Sequence, residues 1–152
     1  MYRLLAVALV AVVSQSAAPV GAQDVEVEAR AALEEYFRAW NAADNDAIAT
    51  ISNFPRLSLG GNGQVVVRES PEDITIDFDL LRQAEGWDHS TLDLMDTVHV
   101  SDDKVHFRIV FSRRRADGSA YRTVPGLYVI TRQDGHWGLQ LQSVLPATFS
   151  AP

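Results

Sequence analysis

The sequence predicts an α+β fold in which helices pack on a curved antiparallel sheet. Three observations support this prediction: helical periodicity over residues 25–43, strand-like segments from His89 onward, and turn sequences between those segments. Strands joined by short turns pair in antiparallel fashion, so the second half of the chain is expected to form a meander behind a helical first half. With 152 residues, 47% of them apolar, the chain can form one domain with its own core.

The first helix is predicted over residues 25–43 because apolar side chains recur there at steps of three and four residues. This apolar stripe consists of Ala29, Leu33, Tyr36, Phe37 and Trp40. Asp44 is a favourable N-cap for a short second helix, and Pro55 ends that helix because proline lacks an amide hydrogen.

A hairpin and a third helix are predicted next. Residues 56–59 and 64–68 read as short strands around a glycine-rich turn. The third helix is expected to begin at Ser70-Pro71, which places a hydroxyl cap before a proline at the first helical position, and to end at Gly86.

Four long strands account for the rest of the chain. They are predicted near residues 89–100, 104–115, 120–132 and 136–145, with turns at Asp102-Asp103, Asp117-Gly118 and Asp134-Gly135. Because Asp-Gly pairs tolerate positive φ, we expect type I′ turns at the last two.

The N-terminus has the pattern of a secretory signal peptide. A basic residue, Arg3, precedes an apolar run from Leu4 to Val13. That run is too short to span a bilayer, which requires about 17 apolar residues or more. Small residues around Ala22 supply a cleavage site. We therefore predict a signal peptide over residues 1–22 and a secreted or periplasmic domain over residues 23–152; the alternative is an N-terminal helix of a cytosolic protein.

Composition excludes several classes of function. The chain has no cysteine, which excludes a disulfide, a thiolate nucleophile and a cysteine metal site. Its 13 basic and 20 acidic residues give a net charge of −7. Such a surface repels phosphates and anionic lipid, so we expect neither a nucleic-acid partner nor, after signal cleavage, a membrane partner.

Two motifs resemble a known superfamily. Residues 35–47, EYFRAWNAADNDA, resemble the first-helix motif of SnoaL-like and ketosteroid-isomerase-like proteins, and residues 134–139, DGHWGL, resemble their last hairpin. With the order of elements, the resemblance to the nuclear-transport-factor-2-like superfamily covers roughly residues 25–146. It implies a cone-shaped fold and leaves the activity open, because this fold carries many functions.

The resemblance does not extend to steroid isomerase chemistry. Such isomerases use a tyrosine on the first helix, a carboxylate base on the first strand and a carboxylic acid on a later strand. Tyr36 matches the tyrosine. The base position falls near residues 56–58 and the acid position near residues 126–127, and neither segment contains a carboxylate.

Strand alternation divides the predicted meander into two faces. One face is strongly apolar and collects Leu92, Leu94, Val98, Val100, Val105, Phe107, Ile109, Phe111, Tyr128, Ile130, Trp137, Leu139 and Leu141. The other face is mixed and collects His89, Asp93, Thr97, His106, Arg108, Val110, Ser112, Leu127, Val129, Gln140, Gln142 and Val144.

Two arrangements fit these faces. In the first, the apolar face packs on the helices and the mixed face is solvated. In the second, which the resemblance implies and which we favour, the mixed face lines the cone. The apolar face then lies outside, and because a monomer rarely tolerates a large bare apolar patch, this arrangement requires a homodimer.

On the second arrangement, six residues are candidates for ligand contacts: Tyr36, Trp40, His89, Asp93, Arg108 and Gln142. His89 and Asp93 are ionisable groups on a half-apolar face, and Arg108 could bind a carboxylate. Arg113-Arg114-Arg115 is interpreted as a solvated hairpin tip. His99 and His106 are expected opposite each other without a third ligand, so we predict no metal site and no cofactor.

Three functions are consistent with these features. The first is a binding module for a small ligand that is apolar or carries a carboxylate. The second is a cofactor-independent lyase or isomerase that uses His89 or Asp93 in acid–base catalysis. The third is a dimeric assembly domain.

Overall fold

A computed structural model describes residues 21–149. The predicted signal peptide lies almost entirely outside the described residues and stays a prediction. The helices are α1 (Ala22–Asn41), α2 (Asn45–Thr50) and α3 (Phe78–Glu85), with a 3-10 turn at Pro71–Asp73. In residues 21–149, no helix combines the length and the apolar character that crossing a bilayer requires.

The sheet has seven strands. They are β1 (Ser52–Leu59), β2 (Val65–Arg68), β3 (His89–Ser101), β4 (Lys104–Arg114), β5 (Ala120–Gln133), β6 (His136–Val144) and β7 (Thr148–Phe149). Their order is β2-β1-β6-β5-β4-β3, and β7 pairs with β5. All pairs are antiparallel except β1 with β6, which is parallel. The predicted α+β fold with helices on a curved sheet is therefore confirmed, with one parallel pair added.

The first two helices follow the predicted pattern. The apolar stripe of α1 is buried against the sheet, with Leu33 and Ala29 fully inaccessible and Tyr36 almost so. The carboxylate of Asp44 accepts a hydrogen bond from the amide of Ala47 at 2.9 Å, which caps α2 as expected.

The third helical segment differs from the prediction, because it is split in two. The Asp73 carboxylate accepts hydrogen bonds from the amides of Glu69 and Ser70, which closes a single 3-10 turn. The chain then extends, and Asp77 caps α3 by accepting from the amide of Leu80 at 2.8 Å. Two capping carboxylates thus start two separate helices where we expected one.

The two Asp-Gly turns adopt different conformations. Asp134 and Gly135 have φ values of 50° and 82°, which confirms a type I′ turn. At the other turn only Gly118, with φ of 83°, is positive, and the amide of Arg115 donates to the carbonyl of Ser119. This loop is longer than two residues, so the type I′ expectation is wrong there.

The apolar face of the sheet packs on the helices. Val105, Phe107 and Ile109 of β4 are completely inaccessible, and Ile130 and Leu139 continue this core onto β5 and β6. The first of the two arrangements is therefore correct, and the favoured one is wrong. Because the apolar face is covered by the helices, it does not require a homodimer, and the homodimer stays a prediction.

Four register shifts in the meander modify the simple alternation of faces, and one of them lies between β4 and β5, where Arg113 and Arg114 face Arg122 and Ala120. The β3–β4 pairing shifts between Leu92 and Leu94 and again between Thr97 and His99. The β5–β6 pairing shifts where Val129 and Ile130 face Leu141 and Leu139, so Gln140 is the extra residue. A bulge of one residue reverses the side on which the following side chains point. Beyond this bulge, Gln142 and Val144 turn toward the helices.

Candidate functional site

A cavity of about 120 Å³ lies between α1 and the inner face of the sheet. It is lined by Tyr36, Phe37, Trp40, Ser90, Phe111, Arg113, Arg122, Val124, Tyr128, Gln142 and Val144. The lining combines aromatic and aliphatic surface with arginine, tyrosine, glutamine and serine, which is the composition of a small-molecule site.

The aromatic wall comes mostly from α1. The Tyr36 and Phe37 rings meet edge to face with their centroids 5.6 Å apart, and Tyr128 of β5 stacks on Phe37 at 6.4 Å. Asn41 fixes the end of this helix against β3, because it donates to the carbonyl of Ser90 and accepts from the amide of the same residue. These two hydrogen bonds attach the end of α1 to β3 beside the cavity.

A hydrogen-bonded network forms one end of the cavity. Nη2 of Arg56 donates to Oε1 of Gln142 at 2.7 Å and to the hydroxyl of Tyr36 at 3.3 Å. Nη1 of Arg56 donates to Oγ of Ser52. Because a guanidinium has no acceptor, it fixes the carbonyl oxygen of Gln142 toward itself. The amide nitrogen of Gln142 then remains as a donor beside the cavity.

Arg56 is a buried charge with an unusual setting. Only 3% of it is exposed, and among residues 21–149 it forms no ion pair with a carboxylate. Its cross-strand partner on β2 is Arg68. Burial, with the charge of Arg56, lowers the pKa of Arg68. This end of the cavity is therefore positive although the whole chain is acidic.

A second group of charges lies at the other end of the cavity. Nη1 of Arg113 donates to one oxygen of Glu85 at 2.7 Å, and Nη1 of Arg122 approaches the other at 3.5 Å. The Tyr121 hydroxyl also donates to Glu85, at 3.0 Å. One carboxylate thus serves two arginines and a phenol.

This arrangement shifts two pKa values. Partial burial alone would raise the pKa of Glu85, but the Arg113 hydrogen bond and charge, with help from Tyr121 and Arg122, lower it overall. Burial and the neighbouring Glu85 raise the pKa of Tyr121 to about 12. Burial likewise raises the pKa of Tyr128, so both phenols stay protonated as hydrogen-bond donors at neutral pH.

Three of the six predicted contact residues line the cavity. Tyr36, Trp40 and Gln142 surround one space. Trp40 also packs edge to face on Phe78 at 5.2 Å, so it belongs to the core and to the cavity wall at once. Whether these residues bind a ligand stays a prediction.

The other three predicted residues lie on the outer face of the sheet. Nδ1 of His89 is 2.8 Å from the carboxylate of Asp88, and Arg108 pairs with Asp96 on β3. The carboxylate of Asp93 accepts from Ser112 at 2.6 Å. The expectation that His89, Asp93 and Arg108 point into the cone is wrong, because the apolar face of the meander, and not the mixed face, packs on the helices.

Sequence reasoning missed the three arginines of the site. Arg113 was assigned to a solvated tip, yet its side chain is only 16% exposed, because β4 continues under the helices as far as Arg114. Arg56 could have been recognised as a site residue, since it lies where the superfamily pattern predicts a carboxylate base. Arg122 lies on an alternating strand, and nothing local distinguished it.

The predicted position of the two histidines opposite each other is confirmed. His99 and His106 are cross-strand partners, with their rings 5.7 Å apart. Burial, with Lys104 and His99 nearby, lowers the pKa of His106. In the part of the chain that the structure describes, no three His, Cys, Asp or Glu side chains come together in a way that could hold a metal ion.

Comparison with known proteins identifies the family. A family model described as NTF2-like protein (DUF6841) matches residues 26–141, so the chain belongs to this NTF2-like family. No curated protein matches the sequence.

Solved structures share the fold at low identity. An NTF2-like protein with a cystatin-like fold from Novosphingobium aromaticivorans is 12% identical with a TM-score of 0.65, covering 81% of this chain and 82% of that one. LinA is 16% identical with a TM-score of 0.56, covering 86% and 95%. A protein from Catenulispora acidiphila in complex with S-DNPA is 13% identical with a TM-score of 0.63, covering 81% and 93%. At these identities the likeness establishes the fold alone.

Proposed function

We propose that this NTF2-like protein binds a small molecule in the cavity between α1 and the sheet. The observation that carries the proposal is the combination of an aromatic wall with accessible donors in one cavity. Tyr128 is 3% exposed and lines the cavity, and its hydroxyl forms no side-chain hydrogen bond within residues 21–149. This hydroxyl is not among the inaccessible polar atoms that lack a partner, so it is open to the cavity, where a ligand or water can complete it.

The volume limits the ligand. A cavity of about 150 Å³ in another protein accommodates benzene, so about 120 Å³ suits a ligand of one ring or a short chain. A ligand of that size has few atoms, so its total binding energy is limited even when each atom contributes well, and we expect dissociation constants in the micromolar to millimolar range.

The fold supports the proposal by analogy. The structure from Catenulispora acidiphila, which shares this fold, is a complex with S-DNPA. We place the protein outside the cytoplasm, as a secreted or periplasmic binding protein, on the strength of its N-terminal sequence pattern.

Acid–base catalysis is less well supported than binding. The residues that line the cavity include no carboxylate and no imidazole, within residues 21–149. His89 and Asp93, the groups proposed for catalysis, lie on the opposite face, where Asp88 and Ser112 contact them. A general base must reach the proton that it removes, and these two residues do not reach the cavity.

Filling the cavity tests the proposal. Val124 is 3% exposed and lines the cavity, so Val124→Phe places a ring in the ligand space. Saturation-transfer NMR and titration calorimetry would follow benzoate, benzamide, hexanoate and hexanamide with the wild-type protein and the variant. We expect at least one probe to bind the wild-type protein and its affinity to fall at least about tenfold in the variant, since contact area is lost.

Val98→Phe is the matched control. Val98 is 46% exposed on the outer face, so the same added ring leaves the cavity open. We expect this variant to bind like the wild-type protein. Equal binding in Val124→Phe and Val98→Phe, or no binding of any probe to the wild-type protein, would refute a ligand site in the cavity.

A further inference from the structure

We propose that the cavity selects ligands with a carboxylate, which Arg113 and Arg122 receive at one end while Arg56 keeps the other end positive. This inference rests on the proposed ligand site and names the chemical class of its ligand. The arginine first considered as a carboxylate partner, Arg108, has no part in it, because it lies outside and pairs with Asp96.

The arginines around the cavity have donors that lack an acceptor. Within residues 21–149, the buried side-chain nitrogens and oxygens without a hydrogen-bond partner are the Nε atoms of Arg56, Arg113 and Arg122. Arg113 and Arg122 line the cavity, and their Nη1 atoms donate to Glu85. Their Nη2 atoms make no hydrogen bond within residues 21–149 and are not among the inaccessible atoms, so they are the donors open to a further acceptor.

The charges around the cavity are not balanced. Arg56, Arg113 and Arg122 bring three positive charges to the cavity ends, and Glu85 is the one carboxylate that pairs with any of them among the described residues. A partly buried positive excess is unfavourable until an anion balances it. The chain carries a net charge of −7, so this excess is local and opposite to the surface.

The neutral side chains of the cavity wall also present donors. Gln142 has its carbonyl oxygen fixed by Arg56 at 2.7 Å, which directs its amide nitrogen away from that arginine. The cavity wall thus presents N–H and O–H donors from Gln142 and Tyr128 in addition to the guanidinium groups. A wall of donors with few acceptors favours an oxyanion over an amine or an alcohol.

A carboxylate fits this space better than a larger anion. A planar guanidinium and a planar carboxylate form paired hydrogen bonds, and the aromatic wall accommodates the remainder of a compact acid. We therefore expect an aromatic or short aliphatic monocarboxylic acid, with its ring or chain against Phe37 and Trp40.

The test compares each acid with its own amide. Benzoate and benzamide, or hexanoate and hexanamide, have the same shape and differ in charge. Titration calorimetry on the wild-type protein is expected to give at least about tenfold tighter binding of one acid than of its amide, since charged hydrogen bonds are the stronger kind. Phenyl phosphate is included, and tighter binding of it than of benzoate would overturn the assignment to carboxylates.

Two variants locate the preference. Arg113→Gln and Arg122→Gln are expected to reduce the ratio of acid to amide affinity to near one, while Arg108→Gln on the outer face leaves the ratio unchanged. Melting curves verify that each variant folds. If one variant does not fold, the carboxylate preference is judged from the other variant and from the ratio of acid to amide affinity in the wild-type protein. If each amide binds the wild-type protein as tightly as its acid, the carboxylate preference is wrong, but the ligand site itself is still supported. Absence of binding by every probe removes the ligand site itself.

Discussion

Arg108 and Arg113 lie on the same strand, β4, but on opposite faces of the sheet, and their surroundings differ in almost every respect. The side chain of Arg108 is 65% exposed and pairs with one carboxylate, Asp96. The side chain of Arg113 is 16% exposed, shares Glu85 with Arg122 and contacts the ring of Trp40 at 5.9 Å. Water screens the outer pair, whereas the inner pair interacts across a largely apolar interior.

Arginine therefore has two different roles within the same strand. On the outer face an arginine is a solvated charge whose pair contributes little. On the inner face it is a partly desolvated donor whose free N–H groups need an acceptor. The predictions below use matched substitutions on the two faces.

The largest difference is expected in the core. Phe107→Ala removes a side chain that is completely inaccessible on the inner face. We expect unfolding in urea to show a loss of about 3 to 5 kcal/mol, because the transfer energy of the ring is lost and a cavity remains. Leu127→Ala, at a residue 36% exposed on the outer face, should cost less than about 1 kcal/mol. Similar losses for both would contradict the assignment of the two faces.

The next difference concerns the carboxylates. Glu85→Gln leaves Arg113 and Arg122 without a negative partner, and we expect it to reduce the free energy of unfolding by about 1 to 2 kcal/mol at pH 7. Asp96→Asn, which removes the exposed partner of Arg108, should cost less than about 0.5 kcal/mol. Chemical denaturation of both variants measures the two costs.

The cost of Glu85→Gln should also depend on pH. The pKa of Glu85 is lower in the folded protein than its ordinary value of 4.5. A carboxyl group shifted downward stabilises the fold fully above its unfolded pKa, and this stabilisation is lost as the pH falls through the folded pKa. The stability gap between wild type and variant should therefore close below about pH 4.5 and stay constant between pH 6 and 8. A gap that widens in acid would show that Glu85 does not act through its charge.

The smallest expected effect is on ligand affinity alone. Gln142→Glu places a carboxylate where Arg56 already donates at 2.7 Å, so folding should be unharmed. The new charge and the lost amide donor should weaken benzoate binding at least about tenfold, which corresponds to about 1.4 kcal/mol. Gln140→Glu, in the bulge where the side chain contacts Thr131, is the control and should leave benzoate affinity unchanged. Titration calorimetry separates the two outcomes.

Much of the fold was predictable because its signals are local. Asp44 caps α2, Asp134-Gly135 forms a type I′ turn, and the strands at 89–101 and 136–144 lie within a residue or two of their predicted bounds. Capping, turn geometry and alternation depend on neighbours in the chain, which a sequence displays directly.

The site was only half predictable. Tyr36 and Trp40 follow from a helix motif whose periodicity fixes their face. Gln142 was expected inside on the assumption that the mixed face lines the cone, and it is inside only because the bulge at Gln140 reverses the direction of its side chain. The arginines require knowledge of which strands continue under α1, and no pattern within β4 or β5 states this.

The helices, most of the turns, the strands and the division of the meander into an apolar face and a mixed face could be read from the sequence. The burial of the apolar face, the position of Arg113 and Arg122 in the cavity wall and the contact of Arg56 with Tyr36 and Gln142 emerge only in the folded domain. Burial and charge pairing are summed over the whole domain, which local patterns do not display. A single added residue in one strand is enough to exchange inside for outside, and its position depends on partners far away in the chain.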